Sequence, residues 1–335
     1  MAVNRKPYID IAKGIGIYFV VLVHLTQKGS LLSRLDLAFC VAFFFIVSGM
    51  LFNPSNSFKQ QMNKLINRII VPLLLYGVID AVIKILWIVL IKHFSIHELI
   101  KIILKVFFVS GSANLNGPLW YLQSLACIQI IMWILISISK KLQKFYVPLN
   151  IFFFTFFLVM AYFIRNKLPF RIGQIPSALV LFMIGYHLKI LLNIFDRLKH
   201  KLLPATILMG AFLLISYVNG FAELAERNFG NYYILFYSGA LCATLSILLF
   251  AMYIKKNKIL EFYGKNSLII MCIHFYFAQY IIPWLFSCFG IVWLLEIQPF
   301  EMLMACILLF FLYCPIKIIS SYAPVLCGKK EIVKF

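Results

Sequence analysis

Hydrophobic residues fall in long unbroken runs, separated by short polar stretches where Lys, Arg, Asn, Gly and Pro collect. The runs approach about twenty residues, the length a helix needs to cross the hydrocarbon core of a bilayer. They lie near 9–27, 37–52, 69–91, 118–139, 146–164, 176–195, 202–220, 232–254, 266–287 and 299–320. The pattern predicts an all-α polytopic membrane helix bundle of about ten transmembrane helices. The run at 37–52 is short for a span, and neighbouring residues are expected to extend it. One connector has a pattern of its own. Ser95-Ile-His-Glu98 reads as a capping box, and Lys101 and Lys105 follow one turn apart before Gly111. This predicts either a short helix lying on the membrane surface or a solvated connector.

Composition narrows the class. The chain of 335 residues is 63% hydrophobic, with a mean hydropathy of +0.96, against about 45–50% apolar residues in soluble domains. Only helices or closed barrels satisfy the backbone in lipid, and a barrel would show alternation in segments of about ten residues, which these continuous runs do not. The net charge of +20 comes from short clusters between the runs, without a soluble basic module, so no nucleic-acid partner is expected. Charge sets the orientation instead. With a cytoplasmic N-terminus, 21 of the 31 Lys and Arg residues fall inside, among them the clusters at Lys140, Lys141 and Lys144, at Arg197, Lys199 and Lys201, and at Lys255, Lys256 and Lys258. An even helix number then puts both termini in the cytoplasm. Arg5 and Lys6 before the first run suggest an uncleaved signal-anchor, since no small-residue cleavage site follows. The eight cysteines are scattered, mostly within apolar runs, and read as packing residues. Residues 1–335 read as one integral-membrane domain with no appended soluble domain and no internal repeat.

Ionisable groups inside such helices are costly and mark function more often than chance. The first helix reads Tyr8-Ile-Asp10-Ile-Ala-Lys13-Gly14-Ile-Gly16 and runs on to His24. Lys13 and His24, about three turns apart, project from nearly one face with roughly 16 Å between them. Asp10 falls within about 40° of the same face. His24 is either a packing residue bonded to a neighbouring helix or part of a site. Asp10 and Lys13 are either an interfacial ion pair or a charged mouth. Lys64 and Arg68, ahead of Pro72, either anchor the third helix or hold phosphates. Asp80 and Lys84 sit four apart and are expected to neutralise one another. Asn116-Gly-Pro-Leu-Trp120-Tyr121 opens the fourth helix, where the aromatics are either belt residues or a binding wall. His187 reads as interfacial. His274 is a second candidate site histidine. No HExxH, GxSxG, P-loop or dinucleotide-binding motif occurs, and no structural metal is expected.

Together these residues resemble acyltransferase family 3, the integral-membrane acyltransferases that include bacterial polysaccharide O-acetyltransferases. The hallmark is a basic residue, ten intervening positions and a histidine; Lys13 and His24 match it, with lysine where arginine is usual. Phe43 to Gly49 is similar to the Phe-Phe-x-x-Ser-Gly pattern, and Lys64 and Arg68 with Pro72 are similar to the basic approach to the third helix. Leu65 stands where the family's paired arginines would place a second cation. Asn116 to Leu122 and Gly264 to His274 resemble the family's looser later patterns. The short form of the first motif is most similar to the fucose 4-O-acetylase-like branch.

The resemblance implies a membrane-bound O-acyltransferase of the bacterial cytoplasmic membrane. It would move an acetyl group from acetyl-CoA to a hydroxyl of a cell-surface or lipid-linked polysaccharide. It makes His24 the leading catalytic residue, as general base on the acceptor or as a transient acyl carrier, with Asp10 tuning the mouth. Lys13, Lys64 and Arg68 would bind CoA phosphates, and Asn116, Trp120, Tyr121 and His274 would face the substrate. The implied partners are acyl-CoA, a glycan acceptor and the lipid bilayer. A transporter or flippase is the rival class, since it would also use intramembrane charges such as Asp80 and Lys84. A non-enzymatic scaffold is the third, but would not need a cation and a histidine on one flank.

Overall fold

The structure, a computed structural model, describes residues 6–91, 117–164 and 169–333, together with 97 and 100. Among these residues the secondary structure is helical apart from one isolated antiparallel bridge between Glu223 and Asn228. Eight helices are long and apolar enough to span a bilayer. The other two predicted positions hold the helix at Pro7–Val23, of 17 residues, and the shorter apolar segment Ile172–Leu188. The chain is an all-α polytopic helix bundle. The surface helix expected around Ser95 to Gly111 lies outside the described residues.

Several boundaries differ from the sequence reading, each for a local reason. α1 (Pro7–Val23) stops short of residue 27. The Leu25 and Thr26 amides both bond the Leu22 carbonyl, the Thr26 hydroxyl takes the Val23 carbonyl, and Gly29 turns the chain at φ +89. α2 (Leu31–Leu51) begins six residues before its expected start at 37, because the Ser30 side chain caps the Ser33 amide at 3.1 Å. α3 (Phe58–Leu65) starts well before the predicted 69, behind a capping box in which Ser57 and Gln60 bond reciprocally. It runs through a π-turn at Ile66–Ile70 into α4 (Val71–Ile91). α5 (Leu119–Lys141) and α6 (Tyr146–Phe163) follow. α7 (Ile175–Leu188) ends before the expected 195, and a turn leads to the short α8 (Leu192–Arg197). Beyond lie α9 (Leu202–Asn219), α10 (Tyr233–Ile254), α11 (Lys258–Lys265), α12 (Ser267–Tyr276), α13 (Ile282–Cys288) and α14 (Gln298–Tyr322). A second π-turn, Phe277–Ile281, joins α12 to α13.

Two glycine crossings set the interior. A Cβ on Gly14 would come within 2.2 Å of the Leu260 carbonyl oxygen, and one on Gly264 within 1.8 Å of the Asp10 carbonyl oxygen, so α1 and α11 touch backbone to backbone. Gly49 and Gly185 bring α2 against α7 in the same way. With no hydrophobic drive between helices in lipid, such small-residue contacts supply the packing. The core around α1, α2, α7 and α10 is dominated by Phe43, Phe45, Phe182 and Phe236, all essentially inaccessible. α6 buries only Asn150 and Ala161 and turns Phe152, Phe156, Val159 and Phe163 outward, a lipid-facing surface.

The bundle has two unlike ends. At one, Lys6 pairs with Asp196 at 2.5 Å, Lys140 donates to the Pro54 carbonyl at 2.9 Å, and Lys329 reaches the Asn266 and Ser320 oxygens. The Asn67 amide group holds residues 332 and 333 by three bonds. Both described chain ends therefore lie at this basic end. At the other, the turn after α1 meets α14 and the connector between α9 and α10.

Candidate active site

His24 is the first residue past α1, at the end away from the basic clusters. Its turn is pinned from two sides. Gln279 donates to the His24 carbonyl at 2.5 Å from the π-turn, and the Gln27 amide donates to Glu301 at 2.8 Å from the first turn of α14. The imidazole lies edge-on to Phe275, ring centres 5.2 Å apart, and tilted against His274 at 5.1 Å. It lines a cavity of about 150 Å³ whose other walls include Phe44 of α2, Trp120 and Tyr121 of α5, and Glu223 and Glu226 of the α9–α10 connector.

The wall opposite His24 is built from two of the sequence patterns. Ser48 Oγ and Tyr121 Oη lie 3.2 Å apart, and Phe45 stacks obliquely on Tyr121 at 4.6 Å. The Phe-Phe-x-x-Ser-Gly stretch thus orients the aromatic pair that opens α5. Trp120 and Tyr121 are buried in the bundle, only 5% exposed each, which places them inside the protein and away from a lipid-facing belt. Asn116 lies outside the described residues.

Not every predicted residue reaches this cavity. Asp10 is buried beneath α11 near the basic end, about 21 Å along the helix from His24, so it is not brought to the histidine. Lys13 is half-buried one turn further on. Lys64, bonded to Asn56 Oδ1 at 3.2 Å, and the exposed Arg68 belong to the basic end as well. Their helix is interrupted by the π-turn, so they are not one ordinary α-turn apart. His274 comes next to His24 but does not line the cavity. It is fully buried behind the first ring, so the substrate-facing role read from sequence gives way to a position one layer back.

Sequence reasoning missed the connector at 220–232. Arg227 adopts left-handed φ 54 and donates to the Ile164 carbonyl at 2.6 Å. Gln174 holds the Ala225 carbonyl at 2.8 Å, Glu223 and Asn228 bridge, and the Asn219 amide group bonds Phe229 and Tyr232. The result is a folded cap that presents Glu223 and Glu226 to the cavity. Its turn chemistry was visible as Gly220 and Asn228-Phe-Gly-Asn231; which side chains it would aim at His24 was not.

The arrangement is a histidine at the floor of a partly apolar pocket, with aromatic and carboxylate walls, open toward the end of the bundle opposite the basic clusters. The family model of an acyltransferase domain matches residues 6–323. The chain belongs to acyltransferase family 3. This membership makes it a membrane acyltransferase and sets aside the transporter and scaffold readings. No curated protein and no solved structure matches the chain.

Proposed function

We propose that this acyltransferase moves an acetyl group from acetyl-CoA to a hydroxyl of a cell-surface or lipid-linked polysaccharide, with His24 as general base. The observation that carries the reading is the placement of His24: it faces a cavity walled by Trp120, Tyr121 and two glutamates, and not the lipid. Aromatic faces with flanking carboxylates suit a sugar ring, which offers C–H bonds on its faces and hydroxyl donors at its edge. The basic end supports a cytoplasmic donor. Lys64 and Arg68, together with Lys13 on α1, would hold CoA phosphates, and the pantetheine arm would run along the α1 flank toward His24. The positive-inside bias then assigns the basic end to the cytoplasm of a bacterial inner membrane and the capped cavity to the outer side.

The chemistry balances as a direct transfer. His24 accepts the proton of the acceptor hydroxyl as its oxygen attacks the thioester carbonyl. The carbon–sulfur bond breaks, and the leaving thiolate takes the proton back from the imidazolium. An imidazole suits both halves of this exchange near neutral pH. Asp10 shapes the polar mouth of α1 without touching the reacting atoms.

The test compares surface glycans from cells carrying wild type or His24→Ala at matched membrane levels. Wild type is expected to add about 42 Da per modified sugar, the increment of an acetyl group, and the variant to lose at least about 100-fold of that activity, the lower bound for a positioned acid–base group. Acetylation at the wild-type level by the variant would remove His24 from the mechanism.

A further inference from the structure

His274 is a buried ionisable group that the mechanism above leaves unused, and its ring neighbours that of His24. It is 0% exposed, on α12, directly behind His24. Nδ1 lies 2.7 Å from the Ile270 carbonyl oxygen. A carbonyl only accepts, so in the neutral ring the proton is on Nδ1 and Nε2 carries the lone pair. That Nε2 is buried and has no hydrogen-bond partner. An unpaired acceptor in a water-excluded interior costs free energy unless something uses it, and the His24 ring is tilted against the His274 ring with centres 5.1 Å apart.

We propose that His274 is the positioning residue of a histidine pair: its Nε2 accepts a ring N–H from His24, which fixes the tautomer of His24 and turns its other nitrogen's lone pair into the cavity. This rests on the acyl-transfer reading and supplies the part it lacks, since an imidazole pinned only by its backbone can present either nitrogen. The contact closes by a small rotation of the His24 side chain, as catalytic hydrogen bonds often tighten only with substrate bound. The other titratable groups facing His24 are Lys28 just past its own helix and Tyr121, Glu223 and Glu226 across the cavity. His274 does not line the cavity, and its Nε2 offers a buried acceptor with no other partner beside the His24 ring. During transfer the acceptor's proton goes to the cavity-facing nitrogen and returns to the thiolate. The N–H shared with His274 stays where it is, so no net proton enters the interior.

Three variants separate this from a packing role. His274→Phe and His274→Met keep bulk and remove the acceptor, whereas His274→Gln puts an amide oxygen near the place of Nε2. Inverted membrane vesicles of the producing cells are supplied with radiolabelled acetyl-CoA, and label entering glycan is followed against donor concentration. Both apolar variants are expected to lose about 10- to 100-fold in kcat, as for loss of a partner that orients a catalytic base, with KM for acetyl-CoA within about threefold of wild type. His274→Gln is expected to recover most of kcat. As a readout independent of turnover, carbethoxylation of His24 by diethyl pyrocarbonate should slow at least about fivefold in the apolar variants and stay near wild type in His274→Gln, following the nucleophilicity of the exposed nitrogen. Equal kcat in all variants, equal losses in Gln and the apolar pair, or failure of both apolar variants to fold would overturn the proposal. If wild-type vesicles label no glycan beyond vesicles lacking the gene, the acyl-transfer reading itself has failed, and the labelling rates still decide the pairing.

Discussion

The two ends of this bundle are held by different means, and they were unequally visible in the sequence. The basic end is stitched by long side chains reaching backbone or one another: Lys6 to Asp196, Lys140 to Pro54, Asn67 to residues 332 and 333. Many of these groups are water-accessible, and each contributes little alone. The site end is organised by a turn, a π-turn and a folded connector that meet around the partly buried His24 ring, through Gln279, Gln27, Gln174 and Arg227. Lysine and arginine density therefore marks where the chain is anchored, while the proposed chemistry lies where basic residues are sparse. Substitutions at the two ends and at the crossing between them should differ in kind as well as in size.

The largest effect is expected where the helices touch backbone to backbone. A Cβ on Gly185 would lie 1.9 Å from the Ile46 carbonyl oxygen, with no side chain to move aside. Gly185→Val should cost at least about 3 kcal/mol, the upper range for overpacking, and leave little detergent-stable protein in size-exclusion chromatography. Gly210 on α9 meets nothing within 4 Å, so Gly210→Ala should fold as wild type or gain about 0.5–1 kcal/mol. Similar recovery of the two variants would show that the α2–α7 crossing is not the constraint described above.

The sharpest contrast between the ends is kinetic. His24→Ala should abolish kcat, whereas Lys64→Ala/Arg68→Ala should leave kcat within about threefold and raise KM for acetyl-CoA about tenfold or more, each lost phosphate contact contributing about 1.5–3 kcal/mol at most and less where water screens it. Titration of acetyl-CoA in vesicles checks both. A donor KM unmoved by the double substitution would take the phosphates away from Lys64 and Arg68.

Next in size is the cap. Arg227→Met removes the bond to the Ile164 carbonyl and relaxes a left-handed backbone held in part by it. The cap should loosen without unfolding the bundle, raising the glycan concentration for half-maximal rate about two- to fivefold, the value of one hydrogen bond of about 0.5–1 kcal/mol. The donor KM should not move, because the cap is at the opposite end. A change in donor KM with none for acceptor would reverse the assignment of ends.

How far the sequence reveals this molecule follows the same division. The spans were legible because lipid demands continuous apolar helices, and Lys13 with His24 on the first helix and the Phe43 to Gly49 stretch on the second stood out by their spacing within one segment. The start of α3 at Phe58 was hidden because its first turn is polar, with a capping box that spans only four residues. The neighbours of His24 were hidden for a different reason. Glu223, Glu226, Gln279 and Glu301 lie about 200 or more residues away in sequence and meet the His24 turn through backbone atoms or a turn, and no periodicity encodes such meetings. Asp10 misled in the opposite way: it shares a face with His24 on paper, and the 13 residues between them keep the two apart in space.

The smallest effect belongs to the Lys6–Asp196 pair, which tests whether the basic end is anchored by many weak contacts or by a few strong ones. The Asp196 hydrogen bond raises the Lys6 ammonium above its usual 10.5, so its contribution is fully present below that value and is lost as pH rises through the raised one. Both side chains are about 40% exposed, which limits the pair to under about 1 kcal/mol. Lys6→Met should lower the melting temperature of the detergent-solubilised protein by no more than about 2–4 °C, by the same amount at every pH from about 6 to 9. The difference should shrink only above the ordinary lysine range. Loss of the fold in Lys6→Met would mean that a single contact holds the start of α1. The distinction between a diffusely anchored end and a tightly built one would then have to be redrawn.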